Sequence, residues 1–239
     1  MAYSAARLKA LQTDETPNIE STLLHLGCGL EAPPNWLNVD GSYQASFARW
    51  PRLKRCLTAF RIYPASQAAI PWPTNVLRLN LRHRLPFNDN QFEAIYSSHT
   101  IEHLYREDAA KLARECYRVL RSGGICRIVV PDLAAAVSRY LERAANPQDS
   151  NAADALMDEL MLQPRAPTKG ALAMYHRLMN VHQHKWMYDG NSLADLLGGA
   201  GFGDVQIYRS RQGHLPHLLE IEKPSRIENG AGVAVEVRK

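Results

Sequence analysis

The sequence predicts an α/β fold: a seven-stranded, mostly parallel sheet with helices on both faces and an antiparallel hairpin at its C-terminal edge. Three observations carry this. Short apolar runs bounded by turn residues recur along the chain. Amphipathic stretches of helical period alternate with them through the middle. The last two runs have no helical pattern between them. At 239 residues the chain can bury one core, so a single domain spanning 1–239 is expected.

The predicted strands are 22–27, 36–40, 76–80, 92–97, 125–131, 204–209 and 232–239. A helix over 108–120 places Ala109, Leu112, Ala113, Cys116, Val119 and Leu120 on one face and stops at Arg121-Ser122-Gly123-Gly124. Asp132 is positioned to cap a helix reaching about Ala145, and 191–199 reads as another, ended by glycines. Two segments fall outside the alternation. Residues 41–75 hold Tyr43, Phe47, Trp50, Phe60, Tyr63 and Trp72, with Pro64, Pro71 and Pro73 in the later half. They read as an insertion with one or two short helices, placed as a mobile lid. Residues 146–189, broken at Pro164 and Pro167, read as a mostly helical cap over the C-terminal end of the sheet.

Hydrophobic residues at 46% and charged residues at 22% are ordinary for a soluble globular chain. No apolar run is long enough to span a membrane, and the N-terminus lacks the apolar core of a signal peptide. Cys28, Cys56, Cys116 and Cys126 form no CxxC pair, which predicts reduced thiols and a cytoplasmic location. The net charge of +4 comes from one place: 41–75 carries Arg49, Arg52, Lys54, Arg55 and Arg61 and no acid, and the remainder nets −1. Such a stretch attracts phosphate, nucleic acid or an anionic membrane surface. A solvated helical face is the commoner reading.

The sharpest local signal is Leu23-Leu24-His25-Leu26-Gly27-Cys28-Gly29. A buried strand running into Gly-x-Gly lets backbone approach a ligand closely, since no Cβ intervenes. Asp40 ends the next apolar run, where a carboxylate can accept from both hydroxyls of a ribose. A nicotinamide fingerprint would set its acid ~20 residues on and open a helix after the glycines. Here Asp40 follows Gly29 by eleven positions and Pro33-Pro34 blocks a helix. A nucleoside without a diphosphate fits better. Only 30–35 are left for the first crossover, fewer than a parallel connection usually needs. Either it is a bare loop, or the second strand sits elsewhere.

Four blocks carry a family resemblance: His25–Gly29; Trp36-Leu37-Asn38-Val39-Asp40; Leu85-Pro86-Phe87-Asn88-Asp89-Asn90-Gln91-Phe92-Glu93-Ala94-Ile95-Tyr96-Ser97-Ser98-His99 running into Ile101-Glu102-His103-Leu104; and Arg118-Val119-Leu120-Arg121-Ser122-Gly123-Gly124. It resumes at 184–202. The chain resembles class I S-adenosylmethionine-dependent methyltransferases with a Rossmann-like fold, in the UbiE-like (type 11) group that includes enzymes of bacterial polysaccharide and natural-product clusters. The resemblance implies S-adenosyl-L-methionine as cofactor and S-adenosyl-L-homocysteine as product. It implies that Leu26, Gly27, Cys28 and Gly29 line the cofactor, that Asp40 holds the ribose, that Asn80 and Leu81 flank the adenine, and that Ser97 and Ser98 face the sulfonium. Three positions depart from the pattern: His25 stands for the usual acid, Glu31 for the third glycine, and Asn80 for an aspartate.

Transfer to a hydroxyl needs a base, and histidine titrates in the right range. His99, directly after the fourth strand, is the first candidate. His184 is second, since the cap could fold it over the same opening, and His182 is third. The expected reaction is O-methylation of a sugar or other small-molecule hydroxyl, with a small molecule or glycan as acceptor and no nucleic-acid partner. No metal is expected. The competing use puts His99, Glu102 and His103, spaced i, i+3, i+4 on one helical face, into a divalent-cation cluster with His182 or His184. That arrangement is similar to the metal site of small-RNA 2′-O-methyltransferases. RNA methylation through the basic aromatic 41–75 segment and a non-catalytic binding role are the alternative functions. Trp186 and Met187 read as core, His214 and His217 as surface loop.

Overall fold

A computed structural model of the chain describes residues 17–162 and 183–239. Seven strands form one sheet: β1 (Leu23–Leu26), β2 (Leu37–Asp40), β3 (Val76–Arg78), β4 (Phe92–Ser98), β5 (Leu120–Pro131), β6 (Gly203–Tyr208) and β7 (Gly232–Arg238). Their order is β3-β2-β1-β4-β5-β7-β6. The first five pair in parallel, while β7 runs antiparallel to both β5 and β6. All four residues of β1 are buried, as a central parallel strand covered on both faces must be.

The covering helices follow from the sequence periods. α4 (Arg106–Val119) buries Ala109, Leu112, Ala113, Cys116 and Val119, and with Leu193 and Leu197 of α7 (Gly190–Gly198) it closes one face. The other face buries Trp36 and Tyr96 beneath Leu215, Leu218, Ile221 and Ile227. The last three of these come from the single-turn helices α8 (Leu218–Ile221) and α9 (Pro224–Ile227). Asp132 caps α5 (Leu133–Ala144) by accepting from the Ala134 N–H at 3.0 Å. α6 (Ala152–Leu160) packs against α5.

The first crossover is a bare loop. Leu24, His25 and Leu26 pair in parallel with Leu37, Asn38 and Val39, and the Asn38 amide holds the connection by donating to Pro33 O (2.9 Å) and Trp36 O (3.0 Å). Two expectations are corrected. The 41–75 insertion holds three helices, α1 (Tyr43–Ala48), α2 (Pro51–Ala59) and α3 (Ala65–Ala68), because Ser42 caps the first through Gln44 N and Pro51 opens the second. The antiparallel edge pairs as expected, but the link between its strands carries α8 and α9, because Leu218, Ile221 and Ile227 bury against the sheet.

Two buried polar groups anchor the second face. The Arg127 guanidinium makes a two-pronged pair with Glu222 (Nε–Oε2 and Nη2–Oε1 both 2.8 Å), with both side chains fully buried. Its remaining N–H groups reach Gln212 O, Ser210 O and Glu236. His25 lies between Trp36 and Tyr96, 3% exposed and 3.3 Å from Asn38 Oδ1. Its place at the usual acidic position is thus a packing role. Burial lowers its pKa to about 4.

Removing one partner of a buried pair strands the other charge, so Glu222→Ala should cost about 3–5 kcal/mol, read by denaturant unfolding. His25 is neutral when folded. Stability is unaffected by it above about pH 6.5 and falls as the pH drops toward 4, where the unfolded chain holds the extra proton. The loss amounts to ~3 kcal/mol at most. His25→Gln should flatten that part of the stability–pH curve; an unchanged slope would refute the assignment.

Candidate functional site

The C-terminal ends of β1, β2 and β4 meet at one rim of the sheet. After β1 the chain turns sharply: the N–H groups of Gly27 and Cys28 both donate to Val39 O (2.8 and 3.1 Å). Gly27 has φ +67°, and a Cβ there would sit 2.0 Å from Thr100 Oγ1. The glycine therefore lets Thr100 approach, and the Thr100 hydroxyl lies 3.3 Å from Gly27 O and 3.1 Å from Ser98 O. Gly29, at φ +55°, has open space where a side chain would be. Its N–H donates to Asp40 Oδ2 at 2.9 Å, while Ser42 N donates to Oδ1 at 2.7 Å. Burial raises the pKa of Asp40, and the two N–H bonds pull it back in part.

The other residues expected around the cofactor divide. Asn80 is exposed beside this rim, two residues beyond β3, where Leu79 N donates to Asp40 O at 3.0 Å. Its side-chain oxygen accepts from Arg82 N and Nε. Leu26 and Leu81 are buried in the main core. Cys28 packs with Ala45 and Val76 under the insertion, and burial raises its thiol pKa. Ser97 Oγ is buried and donates to Leu26 O at 3.0 Å, tying β4 to β1. Ser98 lies on the opposite strand face, so the two serines do not point to one place.

A second group gathers just beyond β4. His99 adopts φ +50°, and Ile101–His103 form a single 3-10 turn. His99, Glu102 and His103 thus do not share an α-helical face as their spacing predicts; the kink at His99 and the tight turn bring the three together instead. Glu102 is fully buried, and neither of its carboxylate oxygens receives a hydrogen bond from another residue. Around it stand His99 Nδ1 at 3.7 Å and His184 Nε2 at 3.9 Å, with the His103 and His184 rings 4.9 Å apart. Lys185 N and Trp186 N both donate to Glu102 O, which explains how the distant 184–186 stretch reaches this turn. His182 lies outside the described residues. Trp186 is 43% exposed, under the Arg106 guanidinium, and is not core.

Protonation can be argued from partners. His99 Nε2 lies 2.9 Å from Arg226 O, and His103 Nδ1 3.2 Å from Gln183 O. A carbonyl only accepts, so those nitrogens carry the hydrogens, which leaves His99 Nδ1 without one in the neutral ring. Burial lowers the His99 pKa to about 4 and also lowers that of His184, and it raises Glu102 to about 8. One atom each from Glu102, His103 and His184 lie within 4.8 Å of one another, a spacing that a shared proton or a cation satisfies. Thr100 and the Arg226 carbonyl escaped the sequence reading. Thr100 carries no motif, and Arg226 lies 127 residues from His99.

Residues 24–128 match a family described as a methyltransferase domain. No curated protein matches the chain. Among solved structures it is similar to a methyltransferase of Thermotoga maritima, described as a possible histamine N-methyltransferase. There the identity is 18%, with 97% of this chain and 85% of that one covered and a TM-score of 0.47. It is similar also to one from Archaeoglobus fulgidus (18%, 98% and 92%, 0.47) and one from Mesorhizobium loti (16%, 98% and 96%, 0.44). The matched segment runs from β1 into β5, so it takes in the turn at Gly27–Gly29, Asp40 and the 97–103 stretch described above.

Proposed function

We propose that the protein methylates a hydroxyl of a small molecule or glycan. The observation that carries this is Asp40 joined to Gly29 N–H, next to open space at Gly29 and beside a rim bearing histidines. The chain's residues fit the cofactor. A carboxylate has about four acceptor sites. Asp40 uses one on each oxygen for Gly29 and Ser42, which leaves capacity for two ribose hydroxyls. Gly29 would let the methionine part lie against backbone, and the exposed Asn80 amide would serve the adenine. Leu26, Leu81 and Ser97 act from behind, as packing.

When bound, the cofactor supplies an electrophilic methyl group on its sulfonium. The chain's own part would be to take up the acceptor hydroxyl's proton on a histidine nitrogen as the oxygen is methylated. His99 is suited to this. Its Nε2 is anchored on Arg226 O, its Nδ1 is unprotonated at neutral pH, and the Glu102 carboxyl lies 3.7 Å from that Nδ1. His184, on the other side of the same carboxylate, is the alternative base. In this reading 41–75 is a lid: its first helix begins two residues after Asp40, and the two are tied through Ser42 N. Of the expected cap, residues 163–182 lie outside the described residues, and 184–186 reach this rim through the Lys185 and Trp186 N–H bonds to Glu102 O.

A second reading is favoured by the spacing at Glu102. There one atom each of Glu102, His103 and His184 lie within 4.8 Å of one another, a set that would hold a divalent cation of the kind imidazole and carboxylate prefer. The His103 Nδ1 bond to Gln183 O is then the outer contact that orients a ligand ring.

Asp40→Ala should weaken cofactor binding by at least ~1–3 kcal/mol in calorimetry; undiminished affinity would sink the site. His99→Ala should lower turnover by about 10²-fold or more with cofactor affinity intact. The check is transfer of labelled methyl to hydroxyl compounds of a cell extract. Elemental analysis decides the second reading. A bound cation should be present in the purified chain and absent from Glu102→Gln, and a chelator should lower the melting temperature of the former only.

A further inference from the structure

The insertion carries a surface that neither the cofactor site nor the core accounts for. α2 buries none of its residues. Trp50, Leu53, Leu57 and Phe60 recur at spacings of three, four and three, which sets them along one side of the helix. Trp50 is 63%, Phe60 73% and neighbouring Ile62 69% exposed. Arg52 and Arg55 take the opposite side and are exposed as well. Arg61, also exposed, follows the helix, and Lys54 and Arg49 lie half-buried, donating to the carbonyls of Ile70 and Thr74. Among the described residues none of these five cations meets a carboxylate, and 41–75 contains no acid with which to pair them.

We infer that α2 and the turn after it are a docking surface for an anionic lipid bilayer. An interfacial helix combines Trp, Leu and Phe on one side with Lys and Arg on the other, and it binds through apolar burial plus attraction to anionic headgroups. Unneutralised cations give the charge complement. The exposed Trp50, Leu53, Phe60 and Ile62 give the part that enters the boundary between headgroups and acyl chains. Single-stranded nucleic acid uses the same charge but takes stacked aromatic rings, and Leu53 and Ile62 offer nothing to a base. Acyl chains accept aliphatic and aromatic side chains alike. No described helix is long and apolar enough to cross a membrane, so contact of this kind is peripheral. Because α1 links this helix directly to Asp40, docking would set the cofactor rim close to the lipid surface.

The test is co-sedimentation of the whole chain with vesicles of phosphatidylcholine alone and of phosphatidylcholine mixed with phosphatidylglycerol. Binding is expected to the mixed vesicles, to weaken with added salt, and to be absent from the neutral ones. The double variant Arg52→Glu/Arg55→Glu should bind at least ~20-fold more weakly, taking about fivefold for each cation lost. Trp50→Ser/Phe60→Ser should also release the protein. All four changes are to exposed side chains, so circular dichroism and the melting temperature should stay as in the parent. The inference is overturned if the folded parent ignores mixed vesicles, or if neither variant alters its binding. It is equally overturned if a single-stranded RNA is retained and lipid is not, or if the parent is a dimer that Trp50→Ser/Phe60→Ser dissociates.

Discussion

The carboxylate of Asp40 is the point on which the architecture of the rim depends. One oxygen fixes Gly29 in the turn after β1, and the other fixes Ser42 at the entry to α1. Each is a charge-assisted bond from backbone, worth about 1.5–3 kcal/mol. Together they determine where the first strand's loop ends, how the second strand's tip is occupied, and where the insertion begins. Desolvation still outweighs them in the pKa of Asp40. A partly buried carboxylate with spare acceptor capacity is the form in which a sugar's hydroxyls are bound.

The fold treats its buried carboxylates in two ways. Glu222 is matched by a guanidinium that meets both of its oxygens, and that guanidinium is completed by Glu236 and two carbonyls. Such a set holds β5, β7 and the 210–222 stretch in one register, and no lone pair is left facing a void. Glu102 is equally buried, but among the described residues neither of its carboxylate oxygens receives a hydrogen bond, and the His99 ring beside it has its Nε2 committed to Arg226 O. Leaving a buried acceptor unmade costs about 1–3 kcal/mol. Strain of this kind concentrates where chemistry needs it, and the left-handed backbone at His99 belongs to the same place.

The insertion joins these themes. Its inner side, Gln44, Ala45 and Tyr63, packs toward β3 and Cys28. Its outer side is apolar and cationic without neutralising acids. The chain runs from Asp40 through Ser42, which bonds Asp40 Oδ1, and α1 into the helix that carries that outer side.

Sequence patterning alone determined the number and order of the strands, the parallel core, the capping of α5 by Asp132 and the convergence of Gly29 with Asp40, but not that β5 begins at Leu120 and runs through the expected helix stop at 121–124. Those features depend on local period and on a short loop whose reach is limited. The gathering of His184 with His99, Glu102 and His103 was legible only as a possibility of the cap. What brings it about is a pair of backbone bonds from Lys185 and Trp186 to the Glu102 carbonyl, which no side-chain pattern announces. The reason for Gly27 was hidden as well. It includes the close approach of Thr100, 73 residues away. Likewise Arg226 holds the His99 ring through its carbonyl, a group every residue carries. Side-chain periodicity records which face is buried. Which backbone oxygen meets which distant ring is decided only when the sheet is assembled, and the tertiary structure alone supplies it.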